Sequence, residues 1–216
     1  MMSTRQHKII LSNEQMDFLR EMLNIGAGNA AVAFSQMLQC MVEVKIPEIY
    51  FFPASQIPPF LKDPDRTFVG VSMNMVGDVN GKLFYLVQDE QKERLVEIAQ
   101  GAAPGSNESG VATDLSVLEE IGNILAGVFL VAIHDFCRLN IYHTVPELRI
   151  DMIQALIDEA IASTSAGTTQ IIILIENEFV IREENISTFF LIIPDRESIH
   201  KFVNSIDNAR KRTYGN

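Results

Sequence analysis

The chain carries the same stretch twice, and this repeat limits its architecture more than any other feature. The first copy reads Asp17-Phe-Leu-Arg-Glu21-Met-Leu-Asn24-Ile25-Gly-Ala27-Gly28. The second reads Ser116-Val-Leu-Glu-Glu120-Ile-Gly-Asn123-Ile124-Leu-Ala126-Gly127. Glu, Asn, Ile, Ala and Gly recur at matching steps, at a constant offset of 99 positions (21 to 120, 24 to 123). At the same offset Val32-Ala33 matches Val131-Ala132, and Pro47-Glu48 matches Pro146-Glu147. An offset held constant over such a length means duplication, so two equivalent halves are expected.

The spacing within each copy predicts a helix with one polar stripe. Asp17, Glu21, Asn24 and Gly28 fall at i, i+4, i+7 and i+11, as do Ser116, Glu120, Asn123 and Gly127. Residues so spaced share one helical face. The positions between them are mostly Leu, Met, Ile, Ala, Val and Phe, which suits a helix lying on a sheet. A carboxylate and a carboxamide therefore stand one turn apart on the outer face. Gly28 and Gly127 leave that face bare just beyond them, where a partner's backbone can come close.

The pattern Asp/Ser-x3-Glu-x2-Asn-x22-Pro fits Asp17, Glu21, Asn24 and Pro47, and again Ser116, Glu120, Asn123 and Pro146. With it the chain resembles the CheC/CheX/FliY family of chemotaxis phosphatases. One full match is expected by chance in roughly 0.003 of chains this size at average composition, and here it occurs twice in register with the repeat. The resemblance covers essentially the whole chain and looks closest to the CheC branch, which carries both sites and no appended domain. It implies a phosphorylated CheY-type response regulator as substrate, with the Mg²⁺ bound by that partner and no cofactor of the chain's own. It also implies CheD as a further partner. Asn24 and Asn123 would place the attacking water, and Glu21 and Glu120 would grip the regulator's lysine. Asp17 and Ser116 would support docking, and Pro47 and Pro146 would shape the strand beside each site.

The residues themselves are consistent with such a borrowed active site. The sequence shows no metal-ligand spacing, and Gly26-Ala-Gly28 lies inside a helix rather than after a strand, which rules out a nucleotide loop. A carboxamide has both a donor and an acceptor and so can orient a water for in-line attack on a phosphoryl group. An exposed carboxylate can pair with a partner's lysine. The same face would equally serve a docking module that binds a phosphorylated regulator or CheD without turnover.

Composition narrows the partners. The net charge of −11 leaves no basic stripe for a nucleic-acid backbone, and it disfavours an anionic membrane surface. Arg210-Lys211-Arg212 is too short to alter that. No apolar run of signal-peptide or membrane-spanning length is expected. Cys40 and Cys137 are isolated and read as free thiols in a reducing cytoplasm, and the four histidines lack metal-ligand spacing. A duplicated chain already contains what a homodimer would supply, so a monomer is expected.

Taken in order, each half reads as helix, strand, short helix, hairpin, helix. Ser12 with Gln15 predicts a capping box opening a helix to about Gln39. Strands are expected over Val42–Phe52 (with Pro47 marking an edge or bulge), Thr67–Val76 and Lys82–Val87. A short helix within Pro53–Leu61 and a helix over Asp89–Gln100, capped by Asp89, complete the first half. A linker over 102–113 separates the repeats, about 12–101 and 114–211, of a single domain. The second half is expected as helix Asp114–Leu139, strand Ile141–Ile150, helix Met152–Ser163, strands Thr168–Ile175 and Ser187–Ile193 joined by a longer connection through Glu176, Asn177 and a turn at Arg182–Asn185, and helix Asp195–Lys211. Three strands with helices on one side leave an open edge, so both halves should share one sheet. The expected fold is an α/β (α+β) sandwich: two long helices on a shared, largely antiparallel six-stranded sheet.

Overall fold

The computed structural model describes residues 11–45, 48–53, 67–101, 115–163 and 171–215. The two long helices are α1 (Asn13–Leu38) and α3 (Ser116–Cys137). Ser12 and Gln15 form the expected capping box, with Ser12 Oγ accepting from Gln15 N and Gln15 Oε1 accepting from Ser12 N. The sheet strands are β1 (Val42–Val44), β2 (Glu48–Pro53), β3 (Thr67–Gly77), β4 (Gly81–Gln88), β5 (Ile141–His143), β6 (Glu147–Met152), β7 (Ile171–Ile181) and β8 (Glu184–Pro194). Shorter helices are α2 (Asp89–Ala99), α4 (Ile153–Ser163) and α5 (Arg196–Tyr214).

All strand pairings are antiparallel, and the order is β1-β7-β8-β4-β3-β5, with β2 also on β7 and β6 also on β3. The β4–β8 pair forms the centre, with Tyr85 opposite Phe190. Each edge strand sits in the other half's territory: β1 and β2 pair with β7, while β5 and β6 pair with β3. The six expected strands become eight because both edges are interrupted. His143 faces Met75 and Glu147 faces Ser72, so four steps on the edge oppose three on β3, and Pro146 lies in that one-residue bulge. Val44 facing Phe179 and Glu48 facing Glu176 show the same slip. Pro47 itself lies outside the described residues, as do residues 54–61 of the expected short helix and the linker of 102–113, while Pro53 ends β2.

One sheet face carries α1 and α3, flanked by α2 and α5, over a core that includes Phe18, Met22, Phe34, Leu125, Phe129, Phe179 and Phe190. The other face carries α4 over Phe68, Phe84, Leu156, Ile157 and Phe189. The long helices pack antiparallel, with Phe18 edge-on to Phe136, Met22 Sδ 3.9 Å from Cys137 Sγ, and Gly26 against Ala132. A Cβ at Gly26 would lie 3.1 Å from Ala132 Cβ, and one at Gly122 would lie 3.0 Å from Val71 on the sheet. These two glycines let α3 sit tightly between α1 and β3.

Three expectations change. Asp89 does not cap α2; Gln88 is the N-cap residue without a side-chain bond, and Asp89 accepts from Lys92 Nζ at 2.7 Å. Asp89 already stands in the first turn, where the lysine three residues on is within reach. The β7–β8 connection is shorter than its polar residues imply. Glu176 and Asn177 belong to β7, and only Arg182 and Glu183 turn the chain, at φ 51° and 70°. Two successive left-handed residues make the tight hairpin turn that matches strand twist. Finally, α3 is long and apolar enough to cross a membrane by length and composition. Half of that stretch is buried against the sheet, α1 and α5, as in a core helix of a folded domain, and its other face carries polar residues. Cys40 and Cys137 are free, and Asp195 caps α5 by accepting from Ser198 N at 2.7 Å.

Candidate functional site

Both polar stripes form where the repeat puts them. Asp17, Glu21, Asn24 and Gly28 are all exposed along α1, since Phe18, Leu19, Met22 and Leu23 turn the opposite side of the helix into the core. On α3, Ser116 and Glu120 are exposed while Asn123 and Gly127 are half-buried. A Cβ at Gly28 would meet nothing within 4 Å, and one at Gly127 would meet only His143 Nε2 at 3.8 Å. The side chains of Asn24, Glu120 and Asn123 have no hydrogen-bond partner among the described residues. Because α1 and α3 are antiparallel, the two stripes lie toward opposite ends of the helix pair.

The stripes continue into apolar surface. Val32 and Val131, 59% and 57% exposed, stand three turns beyond Glu21 and Glu120 on the same face. Sequence reasoning saw these valines as part of the repeat but did not read them as surface. An amide and a carboxylate flanked by bare glycine and an exposed valine offer a partner both polar and apolar contact.

The settings of the two stripes differ. In the first, Arg20 Nη1 lies 3.5 Å from Asp17 Oδ1 in an exposed pair. The position matching Arg20 is Glu119, whose Oε1 accepts from Leu148 N at 3.2 Å. This supplies an acceptor to an edge-strand amide and fixes β6 to α3. Past Gly127, α3 and β5 enclose an open groove of about 400 Å³ lined by Leu130, Val131, His134, Tyr142 and His143. His134 Nδ1 lies 3.3 Å from Leu139 O, and His143 Nδ1 lies 3.0 Å from Thr144 O. At the matching positions the first copy has Ser35, Glu43 and Val44. Ser35 Oγ there donates to Ala31 O and accepts from Val42 N.

One residue at the first stripe was not foreseen. The Tyr214 hydroxyl, at the end of α5, donates to Glu21 Oε2. That hydrogen bond to the carboxylate is the main reason the Tyr214 phenol is held above its ordinary range. The two residues are 193 positions apart, so no local pattern could have joined them.

No group of three or more His, Cys, Asp or Glu side chains able to hold a metal occurs among the described residues. Neither stripe contains a cysteine or a histidine. What each presents is an unengaged amide one turn from a carboxylate, suited to completing a site carried by another molecule.

Comparison with known proteins agrees with this geometry. The model of the CheC-like family matches residues 114–150, which hold the second stripe and the bulged edge strand. The CheY-P phosphatase CheC of Bacillus subtilis is 30% identical over 195 residues, spanning 88% of this chain and 93% of that protein. FliY of Thermotoga maritima has the same fold, with a TM-score of 0.72 at 17% identity over 93% of this chain and all of that one. The FliM middle domain of H. pylori follows at 0.63 and 13%, over 90% of this chain and 99% of that one. At those identities FliY and FliM show the likeness of fold alone, but the Bacillus relative extends over nearly the whole sequence, and this chain belongs to the CheC-like family.

Proposed function

We propose that this protein is a phosphatase for the aspartyl phosphate of a CheY-type response regulator, acting in the cytoplasm. The observation that carries it is the pair of exposed Glu/Asn stripes on α1 and α3, in a chain whose relative from Bacillus subtilis is a CheY-P phosphatase. The regulator brings the phosphoryl group and its own Mg²⁺, which neutralises the developing charge. Asn24 or Asn123 enters beside the phosphoryl group, and its amide holds a water in line for attack. Glu21 or Glu120 pairs with the regulator's active-site lysine and sets the docking register. Asp17 and Ser116, one turn earlier, assist docking. Val32, Val131 and the bare glycines let the two surfaces approach.

Phosphate release from a phosphorylated CheY-type regulator, with and without the protein, tests this reading. Release should quicken in proportion to protein and only with Mg²⁺ supplied. Unchanged decay at saturating protein, across several regulators and with CheD present, would overturn it. A docking module without turnover, for a phosphorylated regulator or for CheD, is the second reading. The half-buried setting of Asn123 beside the groove of His134, Tyr142 and His143 favours it, since that surface extends beyond what water placement needs.

A further inference from the structure

The end of α5 makes the two stripes unequal. This helix has 19 residues against 11 in α2, which occupies the matching place in the first half. The extra turns are fastened to the long helices at several points. Arg210 Nη1 lies 2.6 Å from Glu14 Oε2, Arg212 Nη2 donates to Phe136 O at 2.9 Å, and the Tyr214 ring packs edge-on against Phe18 at 6.1 Å. Held this way, the Tyr214 hydroxyl donates to Glu21. Glu120 has no such donor among the described residues.

We propose that Tyr214 is a gate on the first site, a specificity-determining residue that competes with the partner's cation for Glu21. The inference rests on the reading above, in which Glu21 grips a regulator lysine. A carboxylate that already accepts a hydrogen bond presents one oxygen less to an incoming ammonium, and the phenol stands where the lysine must enter. Tyr214 is 55% exposed, so it can swing away without disturbing the core. The result is a toll on docking at the first site and none at the second. Phosphorylated regulator fills the Glu120 site at lower concentration, and the Glu21 site responds only when more has accumulated.

The test uses the full chain with Glu120→Ala, which leaves the first site as the reporter. Adding Tyr214→Phe removes the hydroxyl but keeps the ring against Phe18, so the thermal midpoint should fall by no more than about 1–3 °C, the share of one such bond. KM for the phosphorylated regulator should fall about threefold or more, the size of a weak, solvent-screened interaction, while kcat changes little. The same substitution in a Glu21→Ala chain should be silent, because the gate then has nothing to hold. An unchanged or raised KM in the first background overturns the gate, as does an equal shift in both. Affinity for a beryllofluoride-activated regulator reads the gate without turnover. If hydrolysis is absent but Tyr214→Phe tightens binding, the gate holds and the phosphatase reading falls. If binding does not move, the gate falls whatever hydrolysis does.

Discussion

Asparagine is a poor helix former, and one in the middle of a long helix costs a few tenths of a kcal/mol against a better former. The chain keeps one at Asn24 and again at Asn123, with no partner among the described residues to compensate. That cost is consistent with a role outside the chain. Replacing both with aspartate preserves shape but turns the amide donor into a charged oxygen aimed at a phosphoryl group. Like-charge repulsion in a partly dehydrated interface should lower turnover at least about tenfold, or roughly 1.4 kcal/mol of transition-state stabilisation. Phosphate release by the Asn24→Asp, Asn123→Asp chain checks this, and undiminished turnover would contradict it. Gly28 gives a prediction of opposite signs. A Cβ there meets nothing, so Gly28→Ala should raise stability by up to about 1 kcal/mol through helix propensity. It should also weaken regulator binding if that bare face is where the partner's backbone approaches. Urea midpoint and affinity, measured on the same variant, should therefore move in opposite directions.

At the scale of elements, Gly122 shows packing overriding propensity. A Cβ there would lie 3.0 Å from Val71 Cβ and Cγ1, on a strand paired on both sides that cannot easily retreat. Gly122→Ala should cost about 1–3 kcal/mol from overpacking, exceeding the propensity gain, and a raised thermal midpoint would contradict this. The α2–β8 contact carries a pH dependence. Arg94 Nε and Nη2 donate to the two Glu184 oxygens at 2.6 and 2.5 Å, and this hydrogen bonding holds the Glu184 carboxyl below its ordinary range. A lowered folded-state pKa gives stability that is present above the unfolded value, about 4.3, and lost as pH falls through the lowered one. Arg94→Ala should cost under about 1 kcal/mol at pH 7, since the pair is partly solvated, and the difference should shrink below about pH 4. Urea midpoints at pH 7 and pH 3 measure it. Elements whose cause is local were legible in the sequence: the Ser12–Gln15 box, the Asp195 cap, and the apolar spacing of α1 and α3. The turn around Arg182 was legible in place but not in its tightness, because neither Arg182 nor Glu183 is the Gly or Asn that normally advertises positive φ. The Glu119–Leu148 and Tyr214–Glu21 contacts were hidden because they join distant parts of the chain, and their donors and acceptors have no spacing signature.

The whole molecule depends on the exchange of edge strands. Because, among the described residues, β1 and β2 pair only with β7, and β5 and β6 only with β3, each half would leave strand edges and apolar faces open if alone. A fragment spanning 12–101 should therefore fail to give a cooperative unfolding transition, whereas a well-folded monomeric fragment would show that the halves do not need each other. Sharing one sheet also places two stripes toward opposite ends of one helix pair, so under the proposed function two regulators per chain are expected. Glu21→Ala and Glu120→Ala should each leave residual turnover and together remove nearly all of it; loss of all turnover from either single change would mean the sites are not independent. The central claim is that the asparagines do chemistry rather than docking, and one paired measurement on the Asn24→Ala, Asn123→Ala chain tests it most directly. Affinity for a beryllofluoride-activated regulator is compared with phosphate release from the phosphorylated one. The expected result is affinity near the wild type, because the glutamate grip remains, with turnover close to the regulator's own decay. Variants that bind and hydrolyse like the wild type would show that these asparagines place no water.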